Sequence, residues 1–256
     1  MSIIQPEKKM DIESKSNEVK IAILIATTSR GTNWEKAKDS HFLSIFLQPF
    51  LKSIEQNSPI YKYEVYLGYD FDDQFYDARI DYIKKIFENT ASSIKNIKII
   101  PYKNISTGCV RAWNNLFKLA YDQGCDYFYQ IGDDVVINEG GWTPVFVNKM
   151  RENNDIFICA PYDTNQPKIP TQFLVSREHM KIFGYLFPSF IENWFCDNWL
   201  CGTYFDERGA WFKTLTVTNS GGPPRYMPIM ITPEKMSVSM SKSKSLILDR
   251  LKQINL

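Results

Sequence analysis

Two adjacent carboxylates, Asp133 and Asp134, close the apolar run DYFYQI (126–131), with Gly132 between run and pair. A chain with 29 acidic residues in 256 holds about three such pairs by chance, so the setting must give this one meaning. Two like charges at the end of a buried strand are costly unless a cation offsets them. Mg²⁺ or Mn²⁺ suits that role. Such an ion takes one or two protein carboxylates and fills its other positions with water and phosphate oxygens. An extended chain would point residues 133 and 134 to opposite faces, and Gly132 permits the turn that brings both into one cleft.

Other polar groups collect at equivalent places. Thr27, Thr28, Ser29 and Arg30 follow the first strand-like run, and Asp70, Asp72 and Asp73 follow the second. Ligands of open α/β sheets bind outside the carboxyl ends of the strands, where all these residues fall. Known phosphate cradles are missing: there is no G-x-x-x-x-G-K-[ST] and no G-x-G-x-x-G. G-x-S-x-G and H-E-x-x-H are absent too, and His41 and His179 are the only histidines. His179 sits in a helix-like segment, where packing or a helix surface explains it. A nucleoside diphosphate held by a carboxylate-bound cation fits what remains.

The second half supplies a partner in ENWFCDNW, which carries Glu192, Trp194, Asp197 and Trp199. Tryptophans stack on sugar rings, though any single Trp is as readily core. Asp197 between aromatics is harder to explain by packing, because an unpaired buried carboxylate is expensive.

Alternating strand-like and helix-like segments position these groups. Strands are expected at 19–26, 63–70, 94–102, 126–131 and 155–162. Helical spacing is expected at 34–56, kinked or split by Pro49, at 77–90, and at 110–123, ended by Gly124. A further helix before 155 would be capped by Thr143 and begun at Pro144. Repeated β-α-β units predict a mainly parallel, doubly wound central sheet flanked by helices. From residue 164 the chain is richer in Trp, Pro and Gly and reads as a smaller lobe on the same sheet. The expected organisation is a loose tail over 1–18, one domain over 19–235 (halves 19–163 and 164–235), and a C-terminal tail or helix over 236–256. Leu246, Leu248, Leu251 and Ile254 form its apolar face, packed on its own domain or on a twin subunit as a homodimer. PEKMSVSMSKSKS reads as a lid or tail.

A net charge of +1 argues against nucleic acid or a membrane surface as a bulk electrostatic partner. Five cysteines without a C-x-x-C indicate neither a disulfide framework nor a zinc site. The N-terminus is polar, and no apolar run approaches the roughly 20 residues of a membrane span. The expectation is a soluble, cytoplasmic protein.

From about 19 to 206 the residues resemble the nucleotide-sugar glycosyltransferases of GT-A (Rossmann-like) fold. They look closest to the family 2-like proteins of algae and large viruses. GDDVV is similar to the D-x-D metal element of that superfamily, and ENWFCDNW to its later acidic motif. GCVRAWNNLFKLAYDQGCDYFYQIGDD is similar to its helix-then-strand run. The resemblance implies transfer from a UDP- or GDP-sugar to a glycan or glycosylated acceptor. Asp70 or a neighbour would read the base, and Arg111 and Asn115 would approach the nucleotide. Asp133 and Asp134 would serve ribose and metal, Asp197 would be the base with Glu192 in reserve, and Trp194 and Trp199 would meet the acceptor. Here the element reads D-D-V, so which aspartate holds the metal stays open, and no histidine follows 179 to complete the site. Two rivals remain: a sugar nucleotidyltransferase, with ATTSRGTNW as a poor basic loop, and a non-catalytic carbohydrate-binding protein. A receiver-like switch is disfavoured, because its acidic pair follows the first strand.

Overall fold

The computed structural model describes residues 18–254; the expected N-terminal tail up to residue 17, and residues 255 and 256, lie outside the described residues. Strand β1 (Val19–Thr27) is apolar on both sides because it feeds two cores. Ile21, Ile23 and Ile25 pack into one layer, and Ala22 and Leu24 into the other. Only a central strand covered by helices on both faces needs such a sequence.

Eight strands form one sheet in the order β3-β2-β1-β4-β7-β6-β8-β5. The strands are β2 (Tyr61–Tyr69), β3 (Ile97–Lys103), β4 (Tyr127–Gly132), β5 (Val135–Ile137), β6 (Ile158–Asp163), β7 (Phe173–Ser176) and β8 (Gly209–Asn219). β1 pairs in parallel with β2 and β4, β2 with β3, and β6 with β8. β7 runs antiparallel between β4 and β6, and β5 is antiparallel to β8. The α/β, mainly parallel sheet with flanking helices is as expected. The reversed β7 and the late β8 are not legible as alternation, because β8 is only half buried and carries little apolar periodicity.

Helices α2 (Gln74–Thr90) and α3 (Cys109–Asp122) match the expected segments. Pro49 lies in the first turn of α1 (Leu47–Ile54), and the expected helix is divided just before it, where a π-helical turn (Phe42–Phe46) leads into α1. Thr143 does not cap α4 (Trp142–Arg151). Gly141 takes the N-cap position, and the buried Thr143 hydroxyl bonds the Tyr63 hydroxyl at 2.9 Å. α5 (Arg177–Phe183) and α6 (Cys196–Tyr204) follow β7.

The segment PEKMSVSMSKSKS is part of a regular helix, α7 (Pro233–Ile254), which packs on α5 and α6. Its buried face is Ser243, Ile247 and Leu251, with Met236 and Met240 packed on the same core. Of the apolar face expected from the sequence, only Leu251 is buried; Leu246, Leu248 and Ile254 are exposed. Among the described residues no helix is long and apolar enough to cross a membrane, and the five cysteines are free.

Candidate active site

Strand register assembles the site. Ala26 of β1 faces Gly132 of β4, so Thr27 and Thr28 emerge beside Asp133 and Asp134. Thr27 faces Tyr69 of β2, so Asp70 to Asp73 emerge on the other flank. Gly132 leaves room for its neighbour's carboxylate: a Cβ there would stand 2.5 Å from Asp134 Oδ1, so that side chain would have to turn aside.

Asp133 is wholly buried and accepts a 2.5 Å bond from Thr27 Oγ1. The cation on it is Arg225. Its Nη1 donates to Asp133 Oδ2 at 2.9 Å and to the Thr28 carbonyl at 2.8 Å, and its Nη2 donates to Asp133 Oδ1. Nη2 also reaches Asp134 Oδ2 at 3.3 Å. Burial, and then the charge of Asp133, push the Asp134 carboxyl up to about 6.

On the β2 flank Asp73 is the hub. It caps α2 through Tyr76 N, and it accepts from Ser29 N at 2.6 Å, Ser29 Oγ at 2.8 Å and Thr28 Oγ1 at 3.2 Å. Asp73→Ala removes a helix cap and unpins the 28–30 turn, for about 2 kcal/mol of stability. A thermal melt should drop by roughly 4–8 °C. A Tm within 1 °C of wild type would remove the hub role. Arg30 Nε bonds Asp70 Oδ2 at 3.1 Å, and its Nη2 bonds Asp72. Tyr226 Oη also donates to Asp70 Oδ2, at 2.9 Å, while Asp70 Oδ1 is buried and unpartnered.

A cleft of about 600 Å³ runs from Thr28, Asp133 and Asp134 to Trp194, Asp197 and Tyr226. Asp197 opens α6, and its carboxylate accepts from the Asn198 N–H at 2.9 Å. Burial raises its carboxyl above the ordinary carboxylate range. Phe195, the N-cap of α6 two residues before Asp197, takes φ +72°. Trp194 is exposed on the same rim.

Other expected site residues stand elsewhere. Trp199 is wholly buried, packs on His179 and Phe183, and donates Nε1 to Ser239 Oγ at 3.1 Å, so it is core and does not meet an acceptor. Glu192, the reserve base, is tied to Arg111 Nη2 at 2.5 Å, and neither lines the cleft. Asn115 Nδ2 donates to Asn104 Oδ1 at 3.4 Å; Asn104 ties the ends of β2 and β3 together, and neither residue lines the cleft. His179 is a core residue. Burial lowers it to about 4, and it bonds Tyr204 Oη and the Leu186 carbonyl, each at 3.0 Å.

Three residues at the site escaped the sequence reading: Arg225, Tyr226 and His41. The Gly-Gly-Pro-Pro turn before Arg225 was the available signal for the first two. His41 stands at the start of the helix after β1, at the ligand end of the sheet. One ring nitrogen of His41 and one oxygen from each of Asp133 and Asp134 lie within 4.8 Å of one another. Burial lowers the imidazole below its ordinary pKa, and its Nδ1 is buried without a hydrogen-bond partner. This donor set suits a divalent cation: carboxylate oxygens for the charge, and an imidazole lone pair not otherwise engaged.

The architecture matches solved structures at low identity. Glucosyl-3-phosphoglycerate synthase from Mycobacterium tuberculosis, in complex with Mn²⁺, UDP and phosphoglyceric acid, aligns with a TM-score of 0.50. Identity is 11%, over 92% of this chain and 79% of that one. The fold is GT-A-like. CMP:2-keto-3-deoxy-manno-octonic acid synthetase in complex with CTP aligns with a TM-score of 0.42 and 11% identity, over 91% of this chain and 99% of that one. A cytidylyltransferase from Leptospira borgpetersenii aligns at 0.40 and 10%, over 64% and 62%. No protein-family model and no curated protein matches the sequence.

Proposed function

We propose that the chain is a metal-dependent glycosyltransferase that moves a sugar from a nucleoside-diphosphate sugar to an acceptor hydroxyl, with inversion. One observation carries the reading. The acidic pair at the end of β4 and the single carboxylate of Asp197, raised by burial, line one cleft. The donor lies at the strand ends, with its base toward Asp70 and its pyrophosphate toward Asp133, Asp134 and the 27–29 turn. Asp133, Asp134 and His41 would hold the ion. When bound, it neutralises charge on the departing diphosphate. Its nitrogen donor favours Mn²⁺ over the oxygen-preferring Mg²⁺.

Asp197 takes the proton from the acceptor hydroxyl as that oxygen attacks the anomeric carbon from the face opposite the diphosphate. Trp194 offers its ring to the acceptor sugar. The algal and large-virus subtype is supported by the sequence motifs alone. A nucleotidyltransferase would need a basic loop free for a triphosphate, and Arg30 is instead committed to Asp70 and Asp72.

A thermal-shift screen of UDP- and GDP-sugars with and without Mn²⁺ tests the proposal. A true donor at a hundredfold its Kd adds about 2.7 kcal/mol, or roughly 5–10 °C, and only with the metal. Slow metal-dependent hydrolysis of the same donor should accompany the shift. Stabilisation by CTP with release of inorganic pyrophosphate would favour the nucleotidyltransferase. No shift and no hydrolysis with any donor would end the transferase reading.

A further inference from the structure

The segment between β8 and α7 crosses the cleft from end to end. Ser220 N bonds the Asp134 carbonyl at 2.8 Å, and Gly221 lies so close that a Cβ there would enter the Asp134 carboxylate. Arg225 then sits on both aspartates, and Tyr226 reaches Asp70. Beyond them the Tyr226 carbonyl accepts from Trp194 Nε1 at 3.0 Å, and the Met227 carbonyl accepts from Asn193 Nδ2 at 3.2 Å. A single stretch thus ties the acidic groups of the donor end to the loop that leads into Asp197.

Two observations set Arg225 in this position against a bound cation and diphosphate. The two terminal nitrogens of Arg225 already make four hydrogen bonds to the protein. A guanidinium has five N–H donors, so little is left for a pyrophosphate. Arg225 also engages both oxygens of Asp133 and one of Asp134, the two carboxylates that a cation beside His41 would share. A guanidinium and a divalent ion on the same pair of carboxylates repel each other at close range.

We propose that residues 220–227 form a strap whose Arg225 is a tethered counter-ion in a cation seat built from His41, Asp133 and Asp134, and that Mn²⁺ displaces it. Loading the ion lifts Arg225 and Tyr226 from the donor end. It also removes the carbonyl partners of Trp194 and Asn193, so the acceptor side loosens only after the donor side is charged. This deepens the transferase reading and rests on it for the role of the two ends.

The test uses the full chain and Mn²⁺ alone, with free ion read by electron paramagnetic resonance. Arg225→Gln should bind Mn²⁺ at least tenfold more tightly than wild type, and adding His41→Ala should return at least tenfold of that gain. In wild type, saturating Mn²⁺ should speed amide hydrogen exchange at least fivefold across 220–227 and at 193–195. Mn²⁺ binding to Arg225→Gln that is unchanged or weaker overturns the strap, as does exchange that stays constant or slows. If Arg225→Gln does not fold, the exchange result on wild type decides alone. No sugar nucleotide is present, so the strap can fail while metal-dependent turnover stands, and the reverse.

Discussion

Replacing Asp197 with asparagine should lower turnover by about 10²–10⁴-fold and leave nucleotide affinity within a fewfold of wild type. The substitution keeps the volume and the bond from the Asn198 N–H, and removes only the ability to accept a proton. The pH profile supplies the second readout. Burial raises the Asp197 carboxyl, so the base is protonated and idle at pH values where an ordinary carboxylate would already be ionised. Activity of the wild type should therefore climb with pH through an apparent pKa above the usual carboxylate range, and the residual activity of Asp197→Asn should lack that step. A rate within tenfold of wild type would place the base elsewhere. Glu192 is a poor substitute, because its carboxylate is paired with Arg111 outside the cleft.

Asp133→Ala should be the most destabilising change at the site. It leaves the half of Arg225 that faced Asp133 inside the protein without a counter-charge, and strips Thr27 of its acceptor. Breaking a buried pair from one side costs about 3–5 kcal/mol, equivalent to a fall of roughly 6–20 °C in Tm for a chain of this size. Removing both charges, with Asp133→Ala and Arg225→Met together, should restore more than half of the loss, because no uncompensated guanidinium remains. If the double variant melts no higher than Asp133→Ala alone, the pair is not the source of the cost. A melt of Asp133→Ala within 2 °C of wild type would refute the pairing itself.

The first half of the fold was readable because its constraints are local. β1, β2 and β4 are central strands that must be apolar on both faces, and the helices between them carry one buried stripe each. Polar groups at the ends of such strands can be placed without knowing more, which is why Thr27, Asp70 and Asp133 fall together. Arg225 could not be found this way. It lies 92 residues beyond Asp133 on an irregular segment with no period, and only the folded chain brings the two together. Trp199 misled for the opposite reason. Its neighbours in sequence belong to the cleft, but the two residues from Asp197 to Trp199 rotate α6 by about 200°, from the cleft to the core. The face of α7 was misjudged because its leucines are fewer on the buried side than its methionines and serines.

Phe195 carries a consequence for how such a chain would change over time. A bulky aromatic at φ +72° sits in backbone that disfavours it by about 1–2 kcal/mol, and glycine or asparagine would occupy the same turn with less strain. Drift toward either would give a sturdier protein. The Phe195 ring lines the cleft two residues before Asp197, so relieving the backbone also reshapes the cleft wall, and heat tolerance and speed should trade against each other at this one position.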